Sequence, residues 1–377
     1  MNLENIVVID GNEFSFTPGE TILQIAQQNG IEIPTLCYLK RATPNTRCGM
    51  CVSEVEGSDE LLRACATPVT TGMVVKTSTP SVIAERRKSL QQLLSMGYHN
   101  CLVQETNIDS WTDFQLKAMG PKEHEDLCPA YGTCELQDMA IQYQVKGTNS
   151  TPLDTKYPIE NANPFIVRDF SRCILCGKCV KACNEVQVND VIDFGQEATE
   201  LKIVTEGDQT LKESDCVFCG ECVQACPVGA LVEKEDKHKI KDWETRQVPT
   251  TCTYCGVGCQ IRLHVRDNQV VRVSGVEEAE PNYGSLCVKG RYGFNFINSD
   301  ERLKTPLIKE NGKFKEATWD EALSLVAEKL GTIKEQHGSD SIGFLTSARM
   351  SNEDNYIAQK FSRAVIKTNN VDHCARL

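Results

Sequence analysis

Twenty cysteines stand in a chain of 377 residues, and nineteen of them fall into groups. The groups are Cys37, Cys48, Cys51 and Cys65; then Cys101, Cys128 and Cys134; then two similar runs, Cys173, Cys176, Cys179, Cys183 and Cys216, Cys219, Cys222, Cys226; and last Cys252, Cys255, Cys259 and Cys287. Cys374 stands alone. A C-x2-C pair offers two sulfurs from one turn of chain, and a distant cysteine closes the site. Thiolates arranged this way hold iron–sulfur cores or zinc. The competing use of so many cysteines is a disulfide framework in a secreted protein. The opening Met1-Asn2-Leu3-Glu4-Asn5 has neither the basic nor the apolar region of a secretory leader. No stretch is apolar enough to span a bilayer. A reducing, cytoplasmic setting with metal-bound thiolates is therefore expected. The net charge of −12 argues against a nucleic-acid partner, because phosphate binding needs a basic face.

The two C-x2-C-x2-C-x3-C runs repeat at an interval of about 43 residues and resemble a two-cluster ferredoxin. In that family the fourth cysteine of each run ligates the other cluster. The resemblance implies one [4Fe-4S] site from Cys173, Cys176, Cys179 and Cys226, and another from Cys216, Cys219, Cys222 and Cys183. Pro227 follows the second run, and Asn184 stands in its place after the first. The first group, C-x10-C-x2-C-x13-C, resembles the [2Fe-2S] domain of the complex I large subunit, of [FeFe] hydrogenases and of NAD-linked formate dehydrogenases. Those families follow it with a His-ligated [4Fe-4S] site patterned H-x3-C-x2-C-x5-C. Cys128-x5-Cys134 and Glu135-Leu136-Gln137-Asp138 match the end of that pattern. Its start departs: His99-Asn100-Cys101 has one residue between His and Cys, and a long insertion separates Cys101 from Cys128. His99 is the preferred ligand because it precedes the first cysteine; His124 is the alternative. One histidine and the nineteen grouped cysteines supply the twenty ligands that five clusters need.

Cys252, Cys255, Cys259 and Cys287, followed by Val288-Lys289-Gly290, resemble the [4Fe-4S] domain that opens molybdenum or tungsten bis(pyranopterin) oxidoreductases. Zinc is the other metal that such a set could take. The resemblance places Lys289 between cluster and pterin; alone, it would read as a solvated surface lysine. Arg302-Leu303-Lys304-Thr305-Pro306-Leu307 and Trp319-Asp320-Glu321-Ala322-Leu323 resemble the entry into the pterin domain. The order of modules resembles the catalytic subunit of NAD(P)-linked or ferredoxin-linked formate dehydrogenases. That implies formate oxidation to CO2, or its reverse, with a Mo- or W-bis(pyranopterin guanine dinucleotide). Electrons would pass through one [2Fe-2S] and four [4Fe-4S] clusters to a NAD/flavin-binding or ferredoxin-linked subunit of a hetero-oligomer. The alternative function is a stand-alone iron–sulfur relay subunit of an NADH dehydrogenase or hydrogenase complex. Asn369 to Leu377 resembles the segment ahead of the metal-ligating selenocysteine or cysteine of formate dehydrogenases. The expectation is a selenoprotein cut at its selenocysteine codon, with that residue just past Leu377 and no catalysis by these residues alone. Cys374 then reads as a buried thiol rather than a ligand.

The elements that must position these groups give an α+β multidomain chain. Residues 1–79 are expected to form a β-grasp-like [2Fe-2S] domain. Ile6-Val7-Val8-Ile9, a turn at Asp10-Gly11-Asn12 and alternating Phe14 and Phe16 predict a hairpin. A helix from Thr21 to Gln28 ends at Gly30. Residues 80–160 are expected to form a helical domain for the cluster held by one histidine and three cysteines. It has an amphipathic helix over 80–98, a short piece near Trp111–Met119 and another helix over 134–144. Residues 164–240 form the two-cluster ferredoxin module, and the charged Glu233–Glu244 reads as a linker. Residues 248–303 are a small β-rich [4Fe-4S] domain with a hairpin, Gln260–Val265 and Val270–Val273, turning at Asp267-Asn268. Residues 304–377 begin an α/β pterin-binding domain. There Thr318-Trp319-Asp320-Glu321 is a capping box opening a helix that stops at Gly338, Ser341–Thr346 reads as a buried strand, and Ser351 caps another helix.

Overall fold

The computed structural model describes residues 5–97, 99, 129–130, 132–145, 157–197, 200–235, 240 and 242–373. The chain divides into two compact units, residues 1–245 and 246–377.

The first unit opens with a five-stranded mixed sheet. Strands β1 (Ile6–Ile9) and β2 (Asn12–Ser15) form the predicted hairpin. Its turn residues Asp10 and Gly11 both take positive φ, 48° and 83°, which matches the twist of the paired strands. β1 also pairs in parallel with β5 (Val74–Lys76), which pairs antiparallel with β3 (Val52–Val55), and β4 (Leu62–Arg63) closes the edge. Helix α1 (Ile22–Gln28) starts at a capping box between Thr21 and Gln24. It buries Ile22, Leu23, Ile25 and Ala26 against Val7, Ile9, Val55 and Val75, at about 1.5–3 kcal/mol for each large side chain. Cys51 and Cys65 sit in this same core.

Helix α2 (Pro80–Ser95) carries its N-cap at Thr79 and a proline in its first turn, where the missing N–H costs nothing. Its apolar stripe is Val82, Leu90, Leu93 and Leu94, and it includes Arg86. That guanidinium donates to the Met50 carbonyl at 2.9 Å, the Val52 carbonyl at 2.9 Å and the Tyr143 hydroxyl at 3.0 Å. One buried cation thus fastens α2 to the backbone on both sides of Cys51. Helix α3 (Glu135–Gln142) begins directly after Cys134. The short helix predicted near Trp111–Met119 lies outside the described residues.

The two cysteine runs are built alike. Strands β6 (Ile166–Arg168) and β9 (Leu231–Glu233) pair antiparallel and bring their ends together. In each run a residue of positive φ follows the first cysteine, Leu175 at 51° and Phe218 at 56°. A left-handed glycine, Gly177 or Gly220, then opens a short helix, α4 (Lys178–Lys181) or α5 (Glu221–Ala225). A hairpin of β7 (Ile192–Glu197) and β8 (Glu200–Thr205), which went unread in the sequence, separates the runs. The start of the expected linker is instead pinned: Lys234 N–H donates to the Phe165 carbonyl at 2.8 Å and its ammonium to the Asn161 carbonyl at 3.0 Å. The unit boundary falls just past the segment, between Thr245 and Arg246.

The second unit begins with a three-stranded antiparallel sheet, β10 (Arg246–Thr251), β11 (Gln260–Arg266) and β12 (Gln269–Gly275). Its turn is at Asp267 and Asn268, both of positive φ. β10 was not read from the sequence, because its residues carry no alternating apolar face and all are exposed or half-buried. A small core of Ile261, Val273, Leu286 and Phe294 packs beside Cys252 and Cys259. A second hairpin, β13 (Leu307–Glu310) with β14 (Lys313–Glu316), precedes the long helix α7 (Trp319–His337); helix α6 is Val288–Tyr292. Thr318 and Glu321 form the predicted capping box, and Gly338 ends α7. Ser351 caps α8 (Asn352–Lys360), accepting from Asp354 N–H. The predicted buried strand is a correction: only Phe344–Thr346 (β15) is extended, and Leu345 is 88% exposed. Among the described residues β15 pairs only with β16 (Val371–His373), in parallel, and Phe344 packs edge-on against Phe361. Trp319, Leu323 and Val326 of α7 are exposed as well.

Candidate metal centres

Four of the five predicted ligand groups are described at all or nearly all of their positions. In the first, Cys37, Cys48, Cys51 and Cys65 are all buried. They are joined two by two: Cys37 hydrogen-bonds Cys48, and Cys51 hydrogen-bonds Cys65. Between the pairs the sulfurs feel each other only through charge. The hydrogen bond from Cys48 draws the Cys37 thiol down to about 7, against burial, and pushes Cys48 up. Cys51 is lowered by Cys65 in the same way, while Cys65 is raised. Ligation of iron would release the protons that these thiols carry. Among the described residues, no three His, Cys, Asp or Glu side chains stand close enough to share one metal ion. Two close pairs suit two adjacent irons with two thiolates each, as a [2Fe-2S] core requires. Beside Cys48 lies a cavity of about 390 Å³ lined also by Arg47, Arg63 and Glu85.

In the ferredoxin-like runs, Cys173, Cys176, Cys179, Cys222 and Cys226 line one apolar cavity of about 30 Å³, with Ile174 and Val228 in its walls. Burial pushes Cys173 up to about 12 and raises Cys176, Cys179 and Cys226 as well. The second set is brought together around Cys222, which feels the charges of Cys219, Cys216 and Cys183. Main-chain donors are aimed at both sites: Leu175 N–H reaches Cys173 Sγ and Phe218 N–H reaches Cys216 Sγ, each at 3.4 Å. Such donors stabilise thiolate and tune a bound cluster. Lys178, nearly buried, places its ammonium 3.2 Å from Glu135 Oε1, and its charge partly opposes the rise that burial causes at Cys176 and Cys226.

Of the group between them, His99 and Cys134 are described; Cys101, Cys128 and the alternative His124 lie outside the described residues. His99 is buried, and burial with the Arg172 charge lowers its imidazole to about 4. It is thus neutral at pH 7, the form a metal takes. The Cys134 thiol donates to the Pro227 carbonyl at 3.6 Å, one residue past Cys226. Cys37, Cys48, Cys134 and Cys176, with Cys173 and Cys226 packed against them, share a single apolar cluster with Leu36, Leu90 and Ile174.

In the second unit, Cys259 feels the charges of Cys252, Cys255 and Cys287, and Cys252 N–H donates to the Cys259 carbonyl at 2.8 Å. Cys287 caps α6, and Lys289 is exposed in the first turn of that helix. Cys374 and the position after Leu377 lie outside the described residues. The sequence reading missed Arg47, Arg86 and Lys178, three cations set among the thiolates. Arg86 was detectable as a charge at the i+4 position of an apolar stripe; the other two carry no local signal.

Four family models match the chain in order. They are a 2Fe-2S iron–sulfur cluster binding domain over residues 6–80, a 4Fe-4S dicluster domain over 172–230, a molybdopterin oxidoreductase Fe4S4 domain over 245–299 and a molybdopterin oxidoreductase domain over 302–377. Among curated proteins, the chain is 34% identical to "Putative formate dehydrogenase YrhE" of Bacillus subtilis (strain 168), covering 100% of this chain and 40% of that protein. It is 32% identical to "Probable oxidoreductase YjgC" of the same strain, over 98% of this chain and 39% of the relative. It is 30% identical to "Putative formate dehydrogenase SAUSA300_2258" of Staphylococcus aureus (strain USA300), over the same shares. The chain thus spans about two fifths of the length of the curated relatives it matches. A solved NAD+-reducing [NiFe]-hydrogenase in the H2-reduced state aligns over 63% of this chain and 91% of its own, at 23% identity and a TM-score of 0.48. No described helix is long and apolar enough to cross a membrane. The chain is a mixed α+β protein that carries, in order, a 2Fe-2S domain, a 4Fe-4S dicluster domain, a molybdopterin oxidoreductase Fe4S4 domain and a molybdopterin oxidoreductase domain.

Proposed function

We propose that this chain is the electron-transferring N-terminal portion of a molybdopterin-dependent formate dehydrogenase, in which formate is oxidised to CO2 or the reverse. The observation that carries this reading is the single apolar cluster holding Cys37, Cys48, Cys134, Cys173, Cys176 and Cys226. A relay needs its centres close together and shielded from water, and one continuous core provides both. The order of the matched domains and the formate dehydrogenase names among the relatives support the substrate.

When bound, the iron–sulfur centres supply one-electron steps and the pterin-held molybdenum or tungsten supplies the two-electron chemistry of formate. The residues' part is to hold, bury and tune. Cys37, Cys48, Cys51 and Cys65 hold the [2Fe-2S] centre. Cys173, Cys176, Cys179 with Cys226, and Cys216, Cys219, Cys222 with Cys183, hold two [4Fe-4S] centres. His99 with Cys101, Cys128 and Cys134 holds a third, and Cys252, Cys255, Cys259 and Cys287 a fourth. Lys289, two residues past Cys287, supplies a cation on the pterin side. An electron-accepting subunit with NAD and flavin, or linked to ferredoxin, completes a hetero-oligomer.

The test has two parts. The anaerobically purified 377-residue chain should contain about 18 irons and as many labile sulfides, with no formate-dependent dye reduction of its own. The complete protein should reduce a viologen dye with formate. Zinc in place of iron would sink both the assignment and any electron-relay role, and a complete protein that takes electrons from NADH or hydrogen but not from formate would sink the assignment in favour of a relay subunit.

A further inference from the structure

The loop between Cys37 and Cys48 keeps Lys40, Arg41, Thr43, Pro44 and Arg47 exposed, yet it is held at several points. It is docked on the first ferredoxin-like run. Arg47 Nε donates to the Leu175 carbonyl at 2.9 Å. Its guanidinium lies 4.5 Å from the centre of the Phe194 ring. Arg47 directly precedes Cys48, and the N–H of Leu175 reaches Cys173 Sγ at 3.4 Å. One side chain thus joins the chain beside a cysteine of the first site to a residue that caps a sulfur of the next. The docking is tight. Gly177, at φ +79°, leaves only 2.9 Å between an added Cβ and either Asn45 Oδ1 or the Phe194 ring. Asn45 in turn donates to the Cys37 carbonyl at 3.2 Å. Thr43 N–H and hydroxyl both donate to Glu185, at 2.7 and 2.8 Å. Lys181 donates to the Thr43 hydroxyl at 2.6 Å.

We propose that Arg47 is a positioning residue that locks the Cys37/Cys48/Cys51/Cys65 site to the Cys173/Cys176/Cys179/Cys226 site and sets the reduction potential of the first. Two physical reasons make an arginine suited to this. Its planar fork can donate to a carbonyl while stacking on a ring, which a lysine cannot reproduce. Its permanent positive charge stabilises the more negative, reduced form of a neighbouring cluster, as do hydrogen bonds to the sulfurs. The backbone link then keeps the distance between the two sites from fluctuating, on which electron passage depends.

The inference rests on the assignment of clusters to these cysteines. The test compares the purified chain with Arg47→Gln and Arg47→Lys by iron content, redox-titrated EPR and the rate at which electrons redistribute within the chain after flash reduction. Arg47→Gln should keep its iron, lower the midpoint potential of the [2Fe-2S] signal and slow redistribution at least tenfold. Arg47→Lys should restore the potential and leave redistribution slow. An iron-replete Arg47→Gln chain with unchanged potential and rate overturns the proposal. If that variant loads poorly, Arg47→Lys decides alone: a slowed rate at unchanged potential supports it, and an unchanged rate refutes it. A parent chain without a [2Fe-2S] signal would instead remove the cluster assignment itself.

Discussion

Arg168 and Glu160 are paired through both backbone and side chain. Each accepts and donates a main-chain hydrogen bond to the other, at 3.0 and 2.9 Å, and Arg168 Nε donates to Glu160 Oε2 at 2.8 Å. The pair is nearly buried, and Glu160 Oε1 also accepts from Leu211 N–H at 2.9 Å. Removing one partner of such a pair leaves a buried charge uncompensated, at about 3–5 kcal/mol. Glu160→Gln should therefore lower the thermal midpoint of the first unit strongly. A buried hydrophobic replacement of both residues should recover much of the loss. Anaerobic circular-dichroism melts check this; a midpoint unmoved by Glu160→Gln would mean that the charge is solvated.

Gly49 sits between Cys48 and Cys51 with φ +72°, and a Cβ there would lie 2.4 Å from Ser89 Oγ. Gly49→Ala adds about 1–3 kcal/mol of backbone strain and a clash with α2. The expected result is selective loss of the [2Fe-2S] EPR signal, with the [4Fe-4S] signals retained. Ser89→Gly in the same chain relieves the clash and should restore part of the signal. Equal loss from every site would show that the loop is not the point of failure.

Cys226 comes from the second run, but it shares a cavity with the first-run thiols, as Cys222 also does, and its charge acts on Cys173 and Cys176. Cys226→Ala should therefore perturb the same centre as Cys176→Ala, at a cost of about four irons. The double variant should lose no more iron than either single one, because both act on one site. Cys222→Ala should perturb a different centre. Mössbauer spectra of the four proteins distinguish these cases, and additive loss in the double variant would assign Cys226 to the other site.

His264 is buried in the sheet of the second unit. Arg272 Nη2 lies 3.1 Å from its Nδ1, and its Nε2 lies 2.9 Å from Ser274 Oγ. An arginine only donates, so Nδ1 accepts and the ring is neutral, its proton on Nε2. Burial first, and the Arg262 charge second, lower it to about 4 from 6.5. The unfolded chain takes up this proton first as pH falls. Stability is thus whole above pH 6.5, declines from there to about pH 4, and then levels. The loss amounts to about 3 kcal/mol at most. His264→Gln should flatten this part of the profile relative to the parent in urea melts at pH 7.5, 6 and 5. Parallel profiles for the two proteins would place the ring's titration elsewhere.

The sequence by itself determined what is local. Ligand spacing within C-x2-C turns, the repeat that gives Leu175 and Phe218 the same left-handed backbone, and the capping boxes at Thr21 and Thr318 all act over a few residues. The turns at Asp10-Gly11 and Asp267-Asn268 were legible for the same reason. The hairpin β13/β14 and the strand Val371–His373 were not, because they are short and largely exposed, and the hairpin β7/β8 went unread although Ile192-Asp193-Phe194 and Leu201-Lys202-Ile203 alternate. Only the tertiary structure decided how the first four thiols face each other. It set Cys48 on Cys37 and Cys65 on Cys51, while Cys226 lines one cavity with Cys173, Cys176 and Cys179, a grouping the ferredoxin resemblance had already implied. It also set Arg47 against Leu175, 128 positions along the chain, and Thr43 against Glu185, 142 positions along. Such contacts leave no periodic trace, since a single side chain meets its partner once. What brings them together is the burial of Leu36, Leu90, Leu136 and Ile174 in one core, a force that has no direction until the chain has folded.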